Sequence, residues 1–528
     1  MPNDDSEKPP KPEAATSSSE PQDERDHFNL GRSTVPPALY DPKERKRYGL
    51  PDSEDQPGPY MIELNLLYGK GLQEAAKAFD LLYKEVLGDR AQNRPAVPIS
   101  KTYFRCQITV LEWRALTRKD EEQPDPRDRV IYKIWPDFPV KPLIDRSVAT
   151  VKADAASNSY SSTGEGICWA VIDSGIDAMH IHFGHPVRNP LFTTLLDRSV
   201  RDLHRDFTLD DPQHSPAESN TALTDGFGHG THVAGIIAGG LDPNLKPGQD
   251  FVVFENVFES DPSGSSKQTS LKPRSVKPAA LHGVAPQCKL VSLKVLDANG
   301  RGQTSNIIRA LQYIREDVNG DPKFLRIHGV NLSLGYEFDA EMFGCGQSPL
   351  CIEVDRLVRS GVVVVVAAGN TGYAQIQTVQ RATKIRIAST INDPGNSRSA
   401  ITVGATHRDS PHTFGVSYFS STGPTGDGRL KPDIVAPGER ITSCATGKKS
   451  LRLPLTESVS GYVDDSGTSL AAPHVSGAIA AFLSIRREFL QRPEEVKRIF
   501  LESATPLGRE RYFEGKGLVD LMRAIQSV

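Results

Sequence analysis

Residues Val362 to Ala368 read Val-Val-Val-Val-Val-Ala-Ala without a polar interruption. Seven residues are too few to cross a membrane, and a strand with one wet face would alternate. The run therefore predicts a strand buried on both faces, as in a parallel sheet. Gly166 to Ile172 is a similar run, and Lys289 to Val295, although Ser292 and Lys294 interrupt it, also reads as a buried strand. Helical stretches separate them, which predicts a doubly wound α/β fold with a mainly parallel sheet. In that architecture functional groups collect where strands end. Asp173 follows one run and Asn370, after Gly369, follows another. At 528 residues, 38% of them hydrophobic, the chain has room for a sizeable core and more than one domain.

Two further segments carry chemistry. Ser469 lies in Gly467-Thr468-Ser469-Leu470-Ala471-Ala472-Pro473-His474, a turn into an apolar helix that continues through Val475, Ile479 and Phe482. A helix N-terminus supplies backbone donors and a positive dipole end beside the hydroxyl. His229 stands between Gly228 and Gly230 at the start of a small-residue helix, whereas His232 falls inside that helix and reads as structural. Alone, each residue has a plain alternative. Ser469 is a helix cap, Asp173 caps a turn, His229 sits by a glycine-rich anion cradle, and Asn370 is a turn residue. Together they are the parts a serine nucleophile needs: a base, and an acid to orient that base.

The order Asp173, His229, Ser469 and the words around these residues resemble the subtilisin-like serine proteases, the subtilases. The words are Asp173-Ser174-Gly175-Ile176, His229-Gly230-Thr231-His232-Val233-Ala234-Gly235 and the Ser469 turn. Val284-Ala285-Pro286, Asn331-Leu332-Ser333-Leu334-Gly335, Ala367-Ala368-Gly369-Asn370 and Lys431 to Gly438 extend the match, which covers about residues 160 to 528. The resemblance implies a serine endopeptidase. Ser469 would attack the scissile carbonyl, His229 would move the proton, and Asp173 would orient His229. Asn370 and the Ser469 N–H would hold the oxyanion. It also implies that Ser333, Leu334, Gly335 and Gly369, with the loop Asp297 to Gly302 containing Gly300, line an extended peptide. That loop also reads as a simple Asn-Gly turn, and Arg301 as solvated. The rival reading is a catalytically silent binding or regulatory protein on a protease fold.

The chain departs from the family pattern in places. Leu470 stands where many subtilases carry methionine, which implies resistance to oxidation at the site. Asp173 and His229 are 56 residues apart, and inserts around Arg188 to Thr224 and Leu241 to Pro278 lengthen the chain. The second insert, rich in Ser, Pro, Lys and Gly, reads as an exposed loop. The chemistry needs no cofactor. The family's structural calcium is an expectation without assigned ligands: Asp206, Asp210, Asp211 and Asp225 are cation candidates or, alternatively, a solvated acidic loop.

Residues 1 to 35 hold little to bury and read as a disordered tail. Residues 55 to 150 read as a small α+β domain. Ile62, Leu64 and Leu66 alternate, Leu72 to Leu87 has helical spacing, Phe104 to Val110 alternates, and Val130 to Trp135 is an apolar run. The resemblance implies a prodomain that inhibits the peptidase intramolecularly, cleaved between Asp145 and Gly164, where Ala153 to Thr163 reads as a loop. A permanent regulatory module is the alternative. Net charge is −4 and no basic block appears, so a polypeptide is the expected partner and nucleic acid is not. The longest apolar run is the one near Gly361 to Ala368, so no membrane span is expected. The N-terminus lacks the basic start and apolar stretch of a secretory signal, which predicts a cytoplasmic protein, unconventional export remaining an alternative. Six cysteines are too few for a disulfide framework, and Cys345 with Cys351 is the one candidate pair.

Overall fold

The computed structural model describes residues 34–47, 50–136, 146–184, 189, 192–209, 221–242, 251–260, 267–321, 323–342, 344–377, 382–451, 453 and 460–528. The expected tail lies almost wholly outside them. The chain divides into two compact units, Met1–Pro142 and Leu143–Val528.

The first unit is built on an antiparallel sheet of order β2-β3-β1-β4, made of β1 (Gly58–Leu64), β2 (Val97–Pro98), β3 (Tyr103–Ile108) and β4 (Ile131–Pro136). Alternate residues of β1, Tyr60, Ile62 and Leu64, share one core with Ala75, Phe79, Tyr83 and Leu87 of helix Leu72–Leu87. Leu66, expected to extend the strand, lies beyond it and is exposed. A second helix, Val110–Glu121, breaks the alternation expected to run through Val110. Its start is set by a capping box: Thr109 accepts from the Glu112 N–H, and Glu112 accepts from the Thr109 N–H. The core also reaches back before residue 55, taking in Val35, Leu39 and Leu50.

The second unit carries a seven-stranded sheet of order β15-β14-β11-β10-β5-β9-β6. Its strands are β5 (Cys168–Asp173), β6 (Arg205–Asp206), β9 (Lys289–Lys294), β10 (Gly329–Leu332), β11 (Val363–Ala367), β14 (Ile401–His407) and β15 (Ile434–Glu439), and all six pairings are parallel. The valine run supplies both faces: Val363 and Val365 enter one core, Val362, Val364 and Val366 the other. Burying each such side chain is worth about 1.5–3 kcal/mol, which is why the run tolerates no polar residue. Helix Thr468–Ile485 packs in the first core. It is long and apolar enough to cross a membrane by length and composition, but most of it is buried inside this unit. The valine run remains the longer uninterrupted apolar stretch, because Pro473, His474 and Ser476 break this helix's apolar sequence.

Two loop readings are corrected. Residues 153–163 contain helix Ala153–Tyr160, preceded by helix Arg146–Thr150. Val148, Val151, Ala153 and Ala156 enter the core of the second unit, and Lys152 pairs with Asp520. A cut within 146–160 would therefore sever packed helices rather than a loop. The insert Leu241 to Pro278 is not simply a loop either. It holds the antiparallel hairpin of β7 (Phe251–Ser260) and β8 (Lys267–Val276), joined through β17 (Ser460–Asp465) to β16 (Ile441–Cys444) in a four-stranded sheet. Phe251, Val253 and Phe254 are buried there. A smaller hairpin, β12 (Tyr373–Gln377) with β13 (Ala382–Arg386), follows Asn370 closely.

Candidate active site

Asp173 is the last residue of β5, and β5 pairs with β10 so that Ile172 lies opposite Leu332. Ser333 therefore emerges beside Asp173 at the same end of the sheet. Asn370 follows the end of β11, the strand beyond β10. Two helices begin at this edge. His229 opens helix His229–Ile237 and Ser469 is the second residue of helix Thr468–Ile485.

Hydrogen bonds tie these pieces together. His229 Nδ1 lies 2.8 Å from Asp173 Oδ1 and 3.0 Å from Oδ2. This close approach needs Gly230, because a Cβ there would stand 2.2 Å from the Gly175 carbonyl oxygen and 3.1 Å from Asp173 Cβ. The Ser333 hydroxyl donates to the Ser469 carbonyl at 2.6 Å and accepts from Asn331 Nδ2 at 2.8 Å. Asn370 Oδ1 accepts from the Thr468 N–H at 2.9 Å and from the Thr468 hydroxyl at 3.1 Å, which commits its other atom, Nδ2, to donating. The space above Gly467 that a Cβ would fill lies 2.9 Å from Ser469 Oγ and 3.5 Å from Asn370 Nδ2. Hydroxyl and amide donor thus border one volume. The Ser469 N–H, in the first turn, is one of the helix amides with no intrahelical acceptor.

Burial disfavours the charged form of His229, but the adjacent Asp173 carboxylate more than offsets it, through charge and hydrogen bond, and the pKa stands above 6.5. The Asp173 side chain is 1% exposed and that of His229 19% exposed, so the acid is hidden and the base reaches the surface. His232, bonded to the Cys444 carbonyl, and His474, bonded to the Leu470 carbonyl, are buried and pushed below 6.5 by that burial.

Sequence comparison matches residues 164–518, two thirds of the chain, to the subtilase family. The chain belongs to the subtilase family. Pyrolysin of Pyrococcus furiosus is 29% identical over 337 residues, which are 57% of this chain and 21% of pyrolysin. Serine protease AprX and subtilisin E of Bacillus subtilis are each 29% identical, over 70% and 72% of this chain and 68% and 70% of their own lengths. The chain spans about a fifth of pyrolysin's length and about two thirds of theirs. As a subtilase it is a serine-type endopeptidase, and its substrate is polypeptide.

The remaining residues that the resemblance singles out fall into two groups. Leu334 is half-buried and Gly335 exposed, leaving an accessible backbone edge after β10. Segment 392–393 crosses behind it, with the Tyr336 and Asp393 amides exchanging hydrogen bonds at 2.9 Å. Gly369, at φ +111°, has no room for a side chain beside Asn392. Gly300 sits in a tight turn closed by the Asp297 N–H to the Arg301 carbonyl, directly against the Phe227 ring, and Arg301 is exposed. The cysteines are all free, Cys345 and Cys351 included.

Among the calcium candidates, Asp210 and Asp211 lie outside the described residues. Asp206 and Asp225 are buried, not solvated, and their carboxylates are engaged by protein donors. Asp206 accepts from Thr208 and Thr221. Asp225 accepts from Ser174, Gly228 and Thr231, among others. Sequence reasoning missed Asp225 as a site neighbour, although it stands four residues before His229. It also missed Lys449 and Asp465, an ion pair whose opposite charges both act on His229.

Proposed function

We propose that the chain hydrolyses peptide bonds through an acyl-enzyme on Ser469, with His229 as general base and then acid, and Asp173 orienting His229. Ser469 Oγ attacks the carbonyl carbon while its proton passes to His229 Nε2, and the carbonyl oxygen becomes an oxyanion. As the C–N bond breaks, His229 returns the proton to the leaving amine. Water then repeats the sequence on the ester. Asn370 Nδ2 and the Ser469 N–H hold the oxyanion, and the substrate lies extended along Ser333 to Gly335 and the Gly300 loop, with Gly369 beside the reacting carbon. All these groups come from the chain itself, so the chemistry requires no cofactor. The observation that carries the reading is the volume bordered at once by Ser469 Oγ and by an Asn370 amide locked as a donor.

The small N-terminal domain is proposed to control this activity, either as an inhibitor removed by proteolysis or as a resident regulator. The free cysteines support a reducing, cytoplasmic setting. Full-length wild type and Ser469→Ala, incubated alone and with an unfolded protein substrate, test these points. Loss of substrate with wild type only supports the assignment, and degradation by Ser469→Ala refutes it. An N-terminal fragment released from wild type only identifies a removable inhibitor.

A further inference from the structure

We propose that Asp225 is a positioning residue for the Asp173–His229 pair, acting through the Ser174 hydroxyl and the first-turn amides of helix His229–Ile237. The proposal rests on the acyl-transfer reading above. Asp225 is buried at 5% exposure and its carboxylate takes five neutral donors. Oδ1 accepts from Ser174 Oγ at 2.9 Å, from the Gly228 N–H at 2.7 Å and from the Phe227 N–H at 3.2 Å. Oδ2 accepts from the Thr231 N–H at 2.9 Å and the Thr231 hydroxyl at 2.7 Å.

These bonds close a ring around the pair. Ser174 Oγ accepts the Gly230 N–H at 2.9 Å while donating to Asp225. The Ser174 N–H donates to Asp173 Oδ1 at 2.8 Å, the same oxygen that lies 2.8 Å from His229 Nδ1. Residues on either side of His229, Gly228 and Gly230, are thereby tied to the residue that follows Asp173. Two consequences follow. The angle between β5 and the helix is fixed where the acid meets the base. In addition, the single Ser174 hydroxyl proton is directed at Asp225, so it does not compete with His229 for Asp173. Only a carboxylate serves, because every partner is a donor. An amide would turn an NH₂ toward an N–H and leave a buried donor unpaired.

Asp225→Asn and Ser174→Ala, made singly and together in the full chain, test this. Active sites are counted with a fluorophosphonate, and kcat and KM are measured on a peptide substrate across pH. The expected result is a fall in kcat per titrated site of about 10- to 100-fold, the scale of a small misplacement of reacting groups. KM should change less than about threefold. The double variant should lose no more than the worse single one, because both break one ring. In Ser174→Ala, which removes no charge, the acid limb should move to lower pH, since a loosened Asp173 holds the His229 cation less well while the other charged and titratable groups near His229 (Asp225, Lys449, Asp465 and His232) are unchanged. In Asp225→Asn the lost carboxylate charge adds to the same shift. Per-site kcat and acid limb within twofold and 0.2 unit of wild type, with losses confined to melting temperature or site count, would overturn the proposal; these thresholds are about the scatter expected of surface substitutions. If Asp225→Asn does not fold, Ser174→Ala, which removes one hydroxyl, decides by the same criteria. Failure of wild type itself to label would instead remove the acyl-transfer reading, and this proposal with it.

Discussion

Replacing Asn370 by alanine isolates the electrostatic part of the mechanism. The side chain accepts two hydrogen bonds from Thr468 and so presents Nδ2 to the volume it shares with Ser469 Oγ. A net hydrogen bond to a charged acceptor is worth about 1.5–3 kcal/mol. A preorganised donor aimed at charge that exists only in the transition state reaches about 2.7–4 kcal/mol, a figure known for this donor in subtilisin and carried over here. The expected loss is therefore about 10²–10³ in kcat with little change in KM, because a ground-state carbonyl needs the donor far less. Asn370→Asp keeps the shape and the Thr468 bonds but sets an acceptor against the oxyanion, so it should lose at least as much. Thr468→Val removes one of the two aiming bonds, leaves the amide donor, and should cost less than about tenfold. Steady-state kinetics on a chromogenic peptide, corrected for titrated sites, measures all three. An Asn370→Ala enzyme within threefold of wild type in kcat would refute the assignment of this amide to the oxyanion.

Two further outcomes are expected. With His229 as the proposed general base, catalysis needs it neutral, and Asp173 raises its pKa above 6.5, so kcat/KM should fall as pH drops through a midpoint above 6.5; a profile still flat at pH 5 would contradict this base. Lys431 is buried with Asp433 at 2.5 Å and also bonds Thr402 and the Ala400 carbonyl, while burial pulls its pKa down to about 7. Lys431→Met leaves the buried Asp433 with the Thr402 N–H at 2.8 Å and Lys497 at 3.3 Å, and should lower stability by about 3 kcal/mol, the lower end for a broken buried pair, read as a shift in the urea midpoint.

The parallel sheet and its functional edge were legible because buried strands must be apolar on both faces and because chemistry gathers where they end. The valine run forms a strand, Asp173 and Asn370 stand at strand ends, and His229 and Ser469 stand at helix starts, as their sequence contexts suggest. What was missed depended on tertiary context. Helix Ala153–Tyr160 is a weak helix by composition, and Val148, Val151, Ala153 and Ala156 hold it against the larger core. The Leu241 to Pro278 insert has loop-like composition overall, yet the aromatic and β-branched run Phe251-Val252-Val253-Phe254 marks a strand that the insert's Ser and Pro content masked. Helix Val110–Glu121 was readable from Thr109 and Glu112, whose capping box outranks an alternation borrowed from the preceding strand. Asp225 read as a cation ligand or a solvated acid because a sequence counts charges, not the donors that fold around them.

The central claim is that Ser469 is the nucleophile, and intact-mass measurement after exposure to a fluorophosphonate tests it most directly. One adduct per wild-type chain, mapped to Ser469 and absent from Ser469→Ala, is the predicted result. An adduct on Ser469→Ala, or none on a wild type that cleaves peptides, would contradict the account.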